Sequence, residues 1–182
     1  MGWLINEYDV TSITKINPMI LPDVLYPDLD IIFCGMAAGD KSALRKAYYA
    51  GPGNQFYPTL HSCGFTSRRL QPEEYTELPK FRIGLTDLAK LTHGMDHVLK
   101  QSDFDIAGLR EKILKYQPKI VCFNGKKAAA IYLQVSGTGK ITYGKQQQMI
   151  GRSKLFVAPS TSGAARGAWD INVWHDLKKQ ML

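Results

Sequence analysis

The chain has 182 residues, 45% of them hydrophobic and 21% charged, with a formal net charge of +7. That length suits one domain with a sizeable core and is too short for two comfortable ones. No apolar run is long enough to cross a bilayer, MGWLINEYDV lacks the basic-then-apolar pattern of a secretory signal, and Cys34, Cys63 and Cys122 sit in apolar segments without CxxC spacing.

Buried thiols in a reducing cytoplasm follow from that cysteine usage, and a four-cysteine iron–sulfur site cannot be built from this chain alone. The charge is uneven. The first 109 residues carry 10 Lys/Arg against 13 Asp/Glu, and the remainder carries 13 against 3. A basic half suits a polyanionic partner, because each phosphate contact releases counterions. A merely solvated basic face is equally open on charge alone.

The expected organisation is a single domain over residues 1–182, with residues 1–28 as an extension packed on it. The first strand is expected over Asp30–Gly35, ending in the glycine turn GMAAGD. A helix is expected over Lys41–Tyr49. Asn54 is expected to cap a second helix through about Ser62, with Pro58 in its first turn and Gly64 closing it. His61 reads as a helix residue of that segment. The second strand is expected over Arg82–Leu88. Asp105 can cap Ile106–Tyr116, whose Ile106, Leu109, Ile113 and Tyr116 form one stripe. The third strand, Lys119–Gly125, runs straight into a helix over Lys126–Leu133. Gly137–Gly151 reads as a loop or hairpin, Lys154–Pro159 as the fourth strand, and Ala168–Leu182 as a closing helix.

Strands alternating with helices predict an α/β fold of three layers, a short four-stranded parallel sheet flanked by helices. Ligands in such folds bind outside the carboxyl ends of the strands. Four turns are therefore expected to converge there: GMAAGD, TDLAK, NGKKA and PSTSGAARG. The first provides backbone only, since Gly35, Met36, Ala37 and Ala38 hold no group able to move a proton. Downstream, Tyr48 and Tyr49 precede a rigid Gly-Pro-Gly and Asn54. Such tyrosines either stack on a planar ligand or belong to the core. Asp87 either reads a base edge, orients water, or caps a following helix. Asn124 either faces the pocket or caps the next helix, which Lys126 and Lys127 open. Ser160, Thr161, Ser162 and Arg166 suit a phosphate backbone. The lysine-bearing phosphate loop of nucleotide hydrolases is absent.

Taken in order, YAGPGNQFY, KYQPKIVCFNGKKA and VAPSTSGAAR resemble the uracil-DNA glycosylase superfamily. The likeness is to its mismatch-specific uracil and thymine branch and to the related hypoxanthine-DNA glycosylases, and it runs from about Asp30 to the end. It implies a monofunctional enzyme without metal or cofactor that hydrolyses the bond between a damaged base and deoxyribose. The implied partner is DNA containing uracil or another deaminated base, met by a monomer.

Carried over residue by residue, the resemblance implies that Tyr49 stacks on the flipped base. Main-chain groups of Gly35, Met36 and Ala37 would line its edge, with Asn54 beside them. Asp87 stands where the uracil and thymine enzymes have Asn, and a carboxylate there resembles the hypoxanthine branch. Ser160 and Ser162 match hydroxyls that grip the flanking phosphates, with Thr161, Lys126 and Arg166 alongside. Two departures matter: the position of the loop that would enter the duplex falls on Gly163 or Ala164, with Arg166 slightly downstream, and the first turn also differs. The first turn of the mismatch branch reads like GINPG and its Asn orients the attacking water; here Ala37 stands in that place. Asp40, Asn54, Asp87 and Asn124 are the candidates to replace it, with Asp87 and Asn124 expected as the catalytic pair. A non-catalytic binder of damaged or abasic DNA and a generic basic interaction domain are the rival readings.

Overall fold

The computed structural model describes residues 19–94 and 97–181, and its centre is one five-stranded sheet. The strands are β1 (Ile31–Ala38), β2 (Ile83–His93), β3 (Ile120–Asn124), β4 (Gly144–Ile150) and β5 (Ser153–Ala158). Their spatial order is β2-β1-β3-β5-β4. The pairs β1–β2, β1–β3 and β3–β5 are parallel, while β4 runs antiparallel to β5. The sheet is therefore mixed and has five strands, where four parallel ones are expected. The extra strand is the polar run GKQQQMI, of which only Ile150 is buried. It sits on the edge of the sheet, so one-sided pairing rather than burial holds it, and the hairpin alternative for this stretch is the one adopted.

Helices α1 (Asp40–Arg45), α2 (Phe56–Ser62), α3 (Ile106–Tyr116), α4 (Lys126–Tyr132) and α5 (Ile171–Lys179) complete the fold, with a 3₁₀ stretch over Pro72–Phe81. Two cores lie on the two faces of the sheet. One gathers Phe33, Tyr48, Phe56, Phe65, Trp174 and Leu177 under α2 and α5. The other gathers Ile32, Cys34, Leu109, Ile113, Phe123 and Ala129 under α3 and α4. The three layers expected from the alternating pattern are present. Asp105 caps α3 by accepting from the Gly108 amide at 2.8 Å. In α5, Trp174 stacks on Phe33 at 5.5 Å between ring centroids and donates its indole N–H to the Pro159 carbonyl at 3.2 Å. That bond ties the last helix to the turn after β5.

Two elements depart from expectation in ways that shape the site. Helix α1 ends at Arg45 instead of Tyr49, because Lys46 turns left-handed and the Ala50 amide donates to the Ser42 hydroxyl at 3.0 Å. Residues 46–50 thus become a turn. Strand β2 continues past Leu88 to His93, so Asp87 lies within the strand and caps no helix. The β1–β2 register breaks near its end: Ala37 pairs with Ala89, but Ala38 pairs with His93. Such a bulge re-aims side chains, and it falls on Lys90, Leu91 and Thr92. Residues 19–28 run along the outer edge of β2, where Val24 bridges Leu85. The N-terminal residues MGWLINEYDV lie outside the described residues. Among the described residues no helix is long and apolar enough to cross a membrane.

Candidate active site

At the carboxyl edge of the sheet, Gly35 of β1 lies opposite Asp87 of β2. A Cβ on Gly35 would collide with Asp87 Oδ1 and would stand 3.6 Å from the Tyr49 hydroxyl. Glycine is needed here because the Asp87 carboxylate occupies the space a side chain would take. Asp87 is 5% exposed and makes no side-chain hydrogen bond to another described residue. Burial pushes its carboxyl up to about 6, partly offset by the positive charge of Lys90. The group therefore changes charge close to neutral pH. The Met36 side chain packs on the opposite core, leaving only its main chain beside the pocket. Ala37, paired with Ala89, adds no polar group.

Tyr49 closes this floor from above. Its backbone is left-handed (φ 57°), which is costly for an aromatic residue and common at functional sites. One ring face stacks on Phe56 at a centroid separation of 3.9 Å. Its hydroxyl is buried beside the Asn124 amide, with no hydrogen bond of good geometry among the described residues. Burial and the neighbouring Asp87 push that phenol far up, so it stays neutral. An unpaired buried hydroxyl costs on the order of 1–3 kcal/mol, a strain the fold tolerates where a ligand supplies the partner.

Asn124 ends β3, and Gly125 rather than Asn124 takes the cap position of α4. Both atoms of the Asn124 amide engage Thr161: Nδ2 donates to Oγ1 at 2.8 Å, and Oδ1 accepts from the Thr161 amide at 3.0 Å. The Thr161 carbonyl in turn accepts from the Gln55 amide at 2.8 Å. Asn124 is thus a brace that fixes the turn after β5 to the start of α2. Thr161, expected as a phosphate contact, is 1% exposed and its hydroxyl faces inward. Ser160 is half-buried, accepting from the Ser162 amide, while Ser162 is exposed and accepts from the Ala164 amide. Arg166 is exposed and its guanidinium lies over Gly53, where a Cβ would come within 2.9 Å of Nη2. The loop at Pro52–Gly53 and the turn at Gly163 therefore pack together at one rim. Lys126 opens α4 but is drawn over the Tyr143 ring at 4.5 Å.

The remaining candidates separate from the floor. Asn54 accepts from the Phe56 amide at 2.9 Å, but Gln55 rather than Asn54 takes the cap position of α2, because the helix starts one residue later than expected. Asp40 is exposed and pairs with His93 at 2.9 Å. His61 is an exposed residue of α2, as expected. Three features escape a reading of the sequence. Lys90, 7% exposed, donates to Tyr48 Oη at 2.8 Å and pairs with Asp23 at 2.8 Å. Lys112 pairs with the other Asp23 oxygen at 2.7 Å. A cleft of about 440 Å³ beside Tyr49 is lined by Lys41, Arg45, Arg69 and the 51–54 loop, and Tyr49 is the residue it shares with the floor. Among the described residues no group of three or more His, Cys, Asp and Glu is placed to hold a metal ion.

A family model described as "Uracil DNA glycosylase superfamily" matches residues 22–178. The chain is also similar to a solution NMR structure from Methanosarcina acetivorans described as a "putative Uracil DNA glycosylase". The identity is 24%, the TM-score 0.61, and the match covers 91% of this chain and 98% of that one. At that identity the second likeness bears on the fold alone. The matched stretch contains every residue of the floor and the rim described above.

Proposed function

Because the chain belongs to the uracil DNA glycosylase superfamily, we propose that it excises uracil from DNA by hydrolysing the bond between base and deoxyribose. The observation that carries this reading is a buried carboxylate, Asp87, standing against Gly35 beside the Tyr49 hydroxyl. A base flipped out of the duplex stacks on Tyr49 and presents its edge to Asp87 and to the main chain of Gly35 and Met36. Above about pH 6 the Asp87 carboxylate only accepts hydrogen bonds. Uracil offers it a ring N–H. Cytosine has no hydrogen on the corresponding ring nitrogen, so the carboxylate rejects it.

In the reaction the glycosidic C–N bond breaks, the base leaves as an anion, and the sugar becomes cationic. Water adds at the sugar carbon and releases a proton. Much of this barrier responds to positioning and electrostatics rather than to a strong base, which is how a site with Ala37 in its first turn works. Asp87 is the one candidate carboxyl or amide at the floor without a committed partner, and we assign it both the base edge and the water. Asn124 serves through Thr161 as a positioning residue. Ser160, Ser162, Lys126 and Arg166 meet the backbone phosphates around the rim.

Two competing readings each rest on one residue. The carboxylate at Asp87 suits hypoxanthine, which also presents a ring N–H. The side chain of Ala37 suits a protein that recognises damage without cutting. A single-turnover assay with excess protein separates them. End-labelled DNA carries one uracil opposite guanine, opposite adenine or in a single strand, beside a hypoxanthine duplex, and alkali converts abasic sites to breaks. Breaks at uracil are expected. Breaks at hypoxanthine alone move the substrate to the purine. No breaks, with tight binding to the lesion, overturn the catalytic reading.

A further inference from the structure

We propose that the cleft sharing Tyr49 with the floor is a site for one nucleotide unit, its phosphate held by Lys41 and Arg69. The inference rests on the reading above in one respect: the strand that brings a base to Tyr49 is taken as the source of that unit. Separate parts of the chain build the cleft. Helix α1 brings Lys41 and Arg45, the 49–54 loop brings Tyr49, and residues 69–72 bring Arg69. The three cations differ in what binds them. Arg45 is committed: its guanidinium pairs with Glu73, and Nη1 donates to the Ala50 carbonyl at 3.1 Å. Lys41 and Arg69 are exposed and form no ion pair among the described residues. The adjacent Arg68 is the contrast, bridging Glu74 at 2.8 Å and Glu77 at 3.9 Å. The backbone under Arg69 is held, because the Thr66 hydroxyl donates to the Arg68 carbonyl at 2.8 Å and Leu70 is buried.

Among the described residues no carboxylate lines the cleft, so its two uncommitted cations favour an anion. Its volume of about 440 Å³ is more than a bare phosphate fills and lies in the range of small-molecule pockets. Pro58, Leu70 and Pro72 add apolar wall, which suits a sugar and a base. A basic groove beside an aromatic ring is a common way to track a single strand. The 51–54 loop divides the cleft from Arg166, whose guanidinium lies over Gly53. A strand whose base reaches Tyr49 therefore has cations on both sides of that loop.

The test measures equilibrium binding of a single-stranded oligonucleotide with one 2′-fluorinated deoxyuridine, whose glycosidic bond resists cleavage. Each phosphate near the lesion is replaced in turn by an uncharged methylphosphonate. Arg69→Gln and Lys41→Gln are compared with wild type, and Arg68→Gln is the control. Arg69→Gln is expected to weaken binding on the order of tenfold. It should also lower the slope of log affinity against log salt by about 0.7, the value for one phosphate on a single strand. Arg68→Gln should bind as wild type does. One methylphosphonate position is expected to weaken the wild type and to leave Arg69→Gln unaffected, which assigns the unit to the lesion strand. Thymidine 5′-monophosphate, titrated alone, is the second arm. Binding that Arg69→Gln abolishes, with no such coupling in the strand, assigns the cleft to free nucleotides. Wild-type affinity and slope in Arg69→Gln and Lys41→Gln, with no binding of the monophosphate, overturn the inference. No arm needs cleavage. A protein that shows the coupling and cuts no uracil DNA refutes the proposed function alone, and one that cuts uracil DNA without coupling or monophosphate binding refutes the cleft alone.

Discussion

Below Tyr49, nearly every side chain has a fixed neighbour. Asp87 stands against Gly35, Lys90 is held by Asp23 and Tyr48, and Asn124 grips Thr161 through two hydrogen bonds. At the rim, Ser162 and Arg166 are exposed, Gly53 and Gly163 have no side chain, and Ala164 points to solvent. The floor pairs its buried polar groups with one another, each costly unless paired, and leaves the Asp87 carboxylate without a hydrogen bond among the described residues. The rim uses small residues and exposed donors, which permit close approach of a backbone and hold nothing rigid. On the proposed reading, base recognition and the chemistry belong to the first region and grip on DNA to the second. Changes in the two regions should therefore have different signatures.

The largest expected effect is at the floor. In Gly35→Ala the new methyl displaces the Asp87 carboxylate, and a displacement of about 1 Å at a reacting group costs roughly 100-fold in rate. Single-turnover rates at saturating protein check this, and an unimpaired Gly35→Ala enzyme would break the distinction between floor and rim. Next is Tyr49, which belongs to both regions. Tyr49→Ala is expected to weaken binding to uracil DNA by about 1–3 kcal/mol through lost stacking. Tyr49→Phe keeps the ring and removes an unpaired buried hydroxyl, so its thermal midpoint should rise. Smallest is Arg166→Ala. It is expected to weaken damaged and undamaged duplex alike and to lower the salt dependence of binding by about one phosphate contact, with the rate of bound complex unchanged.

Much of this architecture is legible in the amino-acid sequence, for a physical reason. Strands β1, β3 and β5 are buried on both faces, so they read as unbroken apolar runs, and the turns that follow them carry the candidate site. Strand β4 is hidden because an edge strand rich in glutamine has no burial pattern to display. The extension of β2 through LAKLTH is hidden because pairing with β1, not composition, makes it a strand. Gly35, Tyr49 and Asp87 were nameable from the turns, whereas the inward direction of Thr161 was not, since its partner Asn124 lies on another strand. Lys90 is the clearest omission. A lysine in TDLAK looks like a solvated residue until Asp23, Tyr48 and Lys112, far apart in the chain, are seen to surround it.

On the proposed reading Asp87, unpaired at the floor, does the work that the first turn lacks. The most direct test is the single-turnover pH–rate profile on uracil DNA for wild type and Asp87→Asn. The wild-type rate is expected to fall as pH drops below about 6, where Asp87 takes up its proton. Asp87→Asn is expected to be slower by on the order of 100-fold and to lack that acidic limb. An Asp87→Asn enzyme with the wild-type rate and the wild-type acidic limb would contradict it.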